Sequence, residues 1–115
     1  MKSTEHLTIS QLHHALQSGE ISATEIANAT LENIEQSDPT LNAFTHVTYA
    51  RMQSEAAKID QLRASGAPLP PLAAVPYAVK NLIDVTGEVT LAGASFNSRN
   101  PVAKSDAWTV QRLTS

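Results

Sequence analysis

Hydrophobic positions in the first half of the chain recur at helical spacing. In "TISQLHHALQSGE", Ile9, Leu12 and Leu16 step along one face, and Thr8 and Gln11 stand at capping-box spacing. Gly19 supplies a natural stop, because it can enter the left-handed region that ends a helix. "SATEIANATLENIEQSDP" repeats the signature: Ser22 and Glu25 form the box, and Ala23, Ile26, Thr30 and Ile34 line the stripe. Asp38-Pro39 is the expected end, since the residue before a proline is steered away from helical angles. "LNAFTHVT" alternates weakly and predicts a short strand or extended entry. A third helix is expected near Thr48 to Ser65, with Tyr49, Met52, Ala56 and Ile59 inward and Arg51, Glu55, Lys58 and Arg63 outward. The helices thus fill residues of about 8–65.

The pattern then changes. "SGAPLPPL" is a proline-rich connector, too short to be an independent linker. Val75 to Val79 and Leu82 to Val85 are apolar runs that read as strands, inside a lysine-bearing region of about 72–93. Pro76 puts the first at an edge, or makes it start later. Gly87 and Gly93 mark turns, and a last helix is expected over about 105–115, capped by Ser105, with Ala107, Val110 and Leu113 on one side. Its abrupt end at Ser115 reads as truncation. The predicted fold class is α/β, N-terminal helices followed by strands of a mixed sheet.

Composition narrows the core. Leu, Ile, Val and Phe supply 26 of 115 residues, about 23%, close to the roughly 20% below which chains tend to disorder. Alanine fills much of the remainder, so a thin core is expected. The net charge is −3, divided as −5 over residues 1–60 and +2 over residues 61–115. There is no basic cluster and aromatics are 4%, which argues against nucleic acid. No cysteine is present, which excludes disulfides, thiolate metal sites and a cysteine nucleophile. Neither a signal-peptide core nor a membrane span is apparent, so a cytoplasmic location is expected and no membrane partner.

Few side chains suggest chemistry. His13 and His14 are adjacent on a helix and diverge by about 100°, and His6 and His46 have no partner at ligand spacing, so no metal is implied. Glu32, Glu35 and Asp38 make an acidic stretch that reads as a solvated face or as a surface for a basic partner. The glycines form no phosphate loop, and Ser95, Ser98 and Ser105 sit in no nucleophile elbow. Lys80 remains, at the end of "LAAVPYAVK". A lysine there can keep its ammonium in water, or be desolvated towards the neutral amine that serves as a base.

The stretch "LAAVPYAVKNLIDVTGEVTLAGASFNSRNPVAKSDAWTVQRL" resembles the lysine-bearing block of the amidase-signature family. The resemblance runs through Leu72, Val75-Pro76, Val79-Lys80-Asn81, Val85 to Gly87, Ala92-Gly93, Pro101 and Asp106-Ala107. Upstream, the paired helices and "DPTLNAF" are similar to the family's start, and the likeness covers residues 7 to 113. "LNAFTHVT", "PPLAAVPYAVKN" and "TLAGAS" resemble the biuret or carboxybiuret hydrolase branch.

The resemblance implies that residues 1–115 are the N-terminal part of a single amidase domain, an incomplete portion of that fold. It implies an amidohydrolase acting on a small amide, urea-like in this branch, through a Ser–cis-Ser–Lys triad in which Lys80 is the catalytic lysine. The amine would take a proton through the bridging serine and activate the nucleophile, while backbone N–H groups stabilise the oxyanion. The segment that carries both serines would follow tens of residues later, so the isolated chain is expected to be inactive. No cofactor is implied. Expected partners are the small amide in the complete enzyme, and a homodimer or a small partner subunit. The alternatives are a non-catalytic interaction module and part of a glutamine amidotransferase-type amidase subunit. Two residues depart from the family pattern: Ala74 replaces a glycine, and Trp108 replaces a smaller residue.

Overall fold

The computed structural model describes Thr4 and residues 6–115. The chain divides into two compact units, residues 1–76 and 77–115.

The first unit holds three helices. In α1, Ile9–Ser18, Thr8 closes the predicted box: its Oγ1 accepts from the Gln11 N–H at 3.2 Å, and Gln11 Oε1 accepts from the Thr8 N–H at 2.9 Å. Gly19 ends the helix at φ 78°. Helix α2, Ala23–Leu41, has the same box at Ser22 and Glu25. The Ser22 N–H on the Glu25 carboxylate, at 2.8 Å, holds that carboxyl below its usual range.

Two details of α2 depart from expectation. Its buried positions are Ala23, Ile26, Ala27 and Leu31, whereas Thr30 and Ile34 are only half-buried. The helix also runs through Pro39 to Leu41 and ends at Asn42 in the left-handed region, φ 49°. Pro39 lies in the last turn, where one missing N–H costs a single bond. Asp38 caps the chain just beyond the helix, its Oδ1 accepting from the N–H groups of Ala43 at 2.7 Å and Phe44 at 3.1 Å. Residues 42–48 are a loop, not a strand.

Helix α3, Tyr49–Ala64, packs against α2. The shared cluster is Leu16, Ala23, Ala27, Ala56 and Ala73, flanked by Met52, Ile59, Leu69 and Ala74. Four alanines around one leucine make the thin core that the composition suggested. Leu69 of the proline-rich connector and Ala73 just after it join this packing, so the connector lies on the helices and does not run free. Asp60 of α3 reaches the start of α2, accepting from the N–H groups of Ala23 at 2.7 Å and Thr24 at 3.0 Å and from the Thr24 hydroxyl at 2.6 Å. Partial burial alone would raise its pKa. The Thr24 hydroxyl, the two N–H groups and the Arg63 charge outweigh burial and lower it.

The second unit corrects the predicted fold class. No described residue lies in a β-strand, and regular structure is entirely helical. A strand needs a ladder of backbone bonds to a neighbour, and the runs 75–79 and 82–85 find none. The unit is instead a series of turns around a short 3-10 helix, Ser95–Arg99, and it ends in α4, Trp108–Thr114. Single bonds take the place of a ladder. Gly87 N–H donates to Ala103 C=O at 2.9 Å, and Ala103 N–H to Glu88 C=O at 2.9 Å. Ser105 does not cap α4. The helix starts after Ala107 without a side-chain cap, and the Ala107 N–H donates to Asp84 C=O at 2.9 Å. Asp106 faces back, its Oδ1 accepting from the Thr86 N–H at 2.8 Å and hydroxyl at 2.9 Å. Val110 is the one buried hydrophobic side chain among the described residues of this unit. No helix of the described residues is long and apolar enough to cross a membrane.

Candidate active site around Lys80

Lys80 opens a tight turn. Its carbonyl accepts from the N–H groups of Leu82 at 2.8 Å and Ile83 at 3.1 Å. The side chain is exposed, and nothing among the described residues accepts a hydrogen bond from its ammonium. Val79 before it and Asn81 after it are half-buried. The dry amine suggested by the apolar run is therefore not found in this chain, because no strand partner lies beside that run to exclude water.

Asn81 is more engaged than its place in the sequence suggests. Its Oδ1 accepts from the Leu91 N–H at 3.1 Å, and its backbone carbonyl accepts from the Ala92 N–H at 2.7 Å. Leu91 begins a turn in which Ala92 and Gly93 both have positive φ, 48° and 74°, closed by Ala94 N–H on Leu91 C=O at 3.0 Å. Two consecutive positive φ values are the pattern of a type I′ turn. Asn97 Nδ2 also donates to Leu91 C=O, at 2.9 Å, which fastens the turn to the 3-10 helix. Asp84 accepts a hydrogen bond from the Thr90 hydroxyl. Sequence pattern does not single out Asn97, Asp84, Thr90 or Asp106 for these contacts. Their signal is weak: short polar residues beside glycines, which are common in any loop.

The three serines of this region, Ser95, Ser98 and Ser105, are exposed, and no hydrogen bond joins one to Lys80 among the described residues. Ala74 has φ 59°, so the position of the family's glycine is a left-handed one that alanine occupies at a cost. Trp108 is 72% exposed, with the Arg112 guanidinium 5.9 Å from its ring centre. His13 and His14 border a shallow groove of about 420 Å³ with Ile9, Ser10, Gln17 and Pro71. Among the described residues, no three His, Asp or Glu side chains converge as metal ligands would.

The sequence profile of the Amidase family matches residues 25–115. The chain belongs to the Amidase family. Relatives sharpen the placement. AtzE, the 1-carboxybiuret hydrolase subunit of Pseudomonas sp. (strain ADP), is 46% identical over 103 residues, which is 90% of this chain and 22% of that protein. The glutamyl-tRNA(Gln) amidotransferase A subunit of Synechococcus sp. (strain CC9605) is 43% identical over 81 residues, 70% of this chain and 16% of that protein. A solved structure described as a vestigial protein complex that reveals the evolutionary origins of an s-triazine catabolic enzyme superposes with a TM-score of 0.92 at 44% identity, over 94% of this chain and 24% of that one. The chain thus spans a quarter or less of the length of these amidase relatives.

Proposed function

We propose that this chain is the N-terminal portion of a single amidase domain, from a cytoplasmic amidohydrolase that cleaves a small, urea-like amide to a carboxylate or carbamate and ammonia. The observation that carries this reading is the 46% identity, over 90% of the chain, to a 1-carboxybiuret hydrolase subunit. It is joined by a Val-Lys-Asn block whose lysine is solvent-accessible and free of ion pairs among the described residues. Lys80 is the base in this reading. Its amine draws a proton through a bridging serine from the nucleophilic serine, which attacks the amide carbon; the proton passes to the departing nitrogen, which leaves as ammonia, and water then cleaves the acyl-serine to the carboxylate or carbamate and restores the serine. Both serines lie outside these 115 residues, so the isolated chain is inactive. A lysine deprived of its nucleophile retains almost none of the chemistry of such a unit.

A second reading is favoured by the relatives named as subunits. In it, the chain is part of an amidase subunit that works with a small partner.

The test is ammonia release from urea-like amides by a complete enzyme carrying this segment, compared with its Lys80→Ala variant. Abolished turnover with an unchanged circular dichroism spectrum supports the role of Lys80. Retained turnover removes it. Measurable, Lys80-dependent turnover by the 115-residue chain itself would overturn the claim that this portion is inactive alone.

A further inference from the structure

We propose that Asn81 is a positioning residue: it clamps the backbone that carries Lys80 onto the Leu91–Ala94 turn, so that the lysine side chain starts from a fixed origin while its ammonium stays free to move. The inference rests on the reading of Lys80 as the base.

The geometry is specific. The carbonyl of Lys80 is held by two N–H groups, from Leu82 and Ile83. The carbonyl of Asn81 is held by the Ala92 N–H, and its side-chain oxygen by the Leu91 N–H. The two peptide planes after the Lys80 Cα are therefore both fixed. The bonds reach a turn that alanine adopts reluctantly, because Ala92 has φ 48°. A conformation of that kind persists only where its surroundings over-determine it, and here the surroundings are the two acceptors of Asn81 and the Asn97 Nδ2 donor on the Leu91 carbonyl. Each element is held by the other. A base must stand within hydrogen-bond reach of the proton that it takes. A side chain as long as lysine meets that demand reproducibly only if its backbone does not drift.

Two substitutions separate this role from general folding. Asn81→Leu keeps the branched shape and the number of heavy atoms but removes the side-chain acceptor; Asn81→Asp keeps the acceptor. In the 115-residue chain, hydrogen exchange of the Leu91 amide reads the clamp directly: it should accelerate in Asn81→Leu and stay close to the parent in Asn81→Asp. In a complete enzyme carrying the segment, Asn81→Leu should lower kcat by roughly tenfold to a hundredfold, the scale of a misplacement of about 1 Å, with KM within about twofold and most of the loss recovered in Asn81→Asp. Unchanged exchange at Leu91, unchanged kcat, or equal loss in both variants would overturn the proposal. A Lys80→Ala enzyme that still turns over would sink the role of Lys80 instead, and the exchange result would separate that failure from a failure of the clamp.

Discussion

The two units are held by different means. Residues 9–64 form helices that meet at a small apolar cluster, and each helix is recognisable from its own residues. Residues 77–115 bury Val110 and otherwise depend on single hydrogen bonds between turns, while Phe96 is 81% and Trp108 72% exposed. Burial is non-directional, so an alanine-rich cluster tolerates modest drift. A hydrogen bond depends on angle and distance, so the second unit places its backbone atoms closely without much core. In the proposed role Lys80 must reach one proton, and a task of that kind suits the second kind of support. Residues whose task is to pack suit the first.

The sharpest way to break this comparison is at Leu16, which is fully buried. Leu16→Ala should cost about 2–5 kcal/mol and collapse amide-exchange protection across α1 to α3. A loss below about 1 kcal/mol, well under that range, would mean that the alanine cluster is not what holds the helices. Asp60 comes next. Asp60→Ala leaves the part-buried Ala23 N–H at the start of α2 without its acceptor and should cost about 1–3 kcal/mol, read as a lowered denaturation midpoint. Ser22→Ala, which removes a cap but leaves Asp60, should cost about 1 kcal/mol.

The carboxylates also set a pH dependence. Asp60 and Glu25 have folded pKa values below their ordinary ones. At low pH the unfolded state therefore binds more protons than the folded one. The stability from these groups is fully present above the ordinary carboxylate pKa, about 4, and is lost as pH falls through the lowered folded values. The thermal midpoint should drop on acidification below that point, and Asp60→Asn should flatten the drop. An acid profile identical to the parent would deny Asp60 its capping role. The smallest effect is expected in the second unit. Ala92 is exposed at φ 48°, so Ala92→Gly relieves strain without loss of packing and should stabilise by up to about 1 kcal/mol. Destabilisation would show that the turn is not held as described. At Ala74, also left-handed, the half-buried methyl packs on the cluster, so glycine there should gain less.

Legibility followed the same division. The boxes at Thr8 with Gln11 and Ser22 with Glu25, the stop at Gly19 and the turns at Gly87 and Gly93 are readable because partners lie within four residues or a single residue carries the conformation. The register of α2 differs by one step from the spacing-based stripe, since Thr30 fits that stripe but turns its hydroxyl to the Ile26 carbonyl at 2.8 Å. The Val75–Val79 and Leu82–Val85 runs have the composition of strands, and composition cannot supply a neighbour. Lys80 stands out through the motif around it. The bonds of Asn81 to Leu91 and Ala92, ten and eleven residues on, are invisible in the sequence.

By itself the sequence determined the three N-terminal helices, the capping boxes of the first two, the thin core and the family, because these rest on short-range spacing and on residue order. Tertiary structure alone decided that Asp60 caps α2 across 36 and 37 residues, that Pro39 stays inside a helix, that the apolar runs form no strand, and that Asn81, next to the exposed Lys80, is bonded to Leu91 and Ala92. Each of these depends on which groups meet in space, and hydrogen-bond partners so far apart along the chain leave no periodic trace in it.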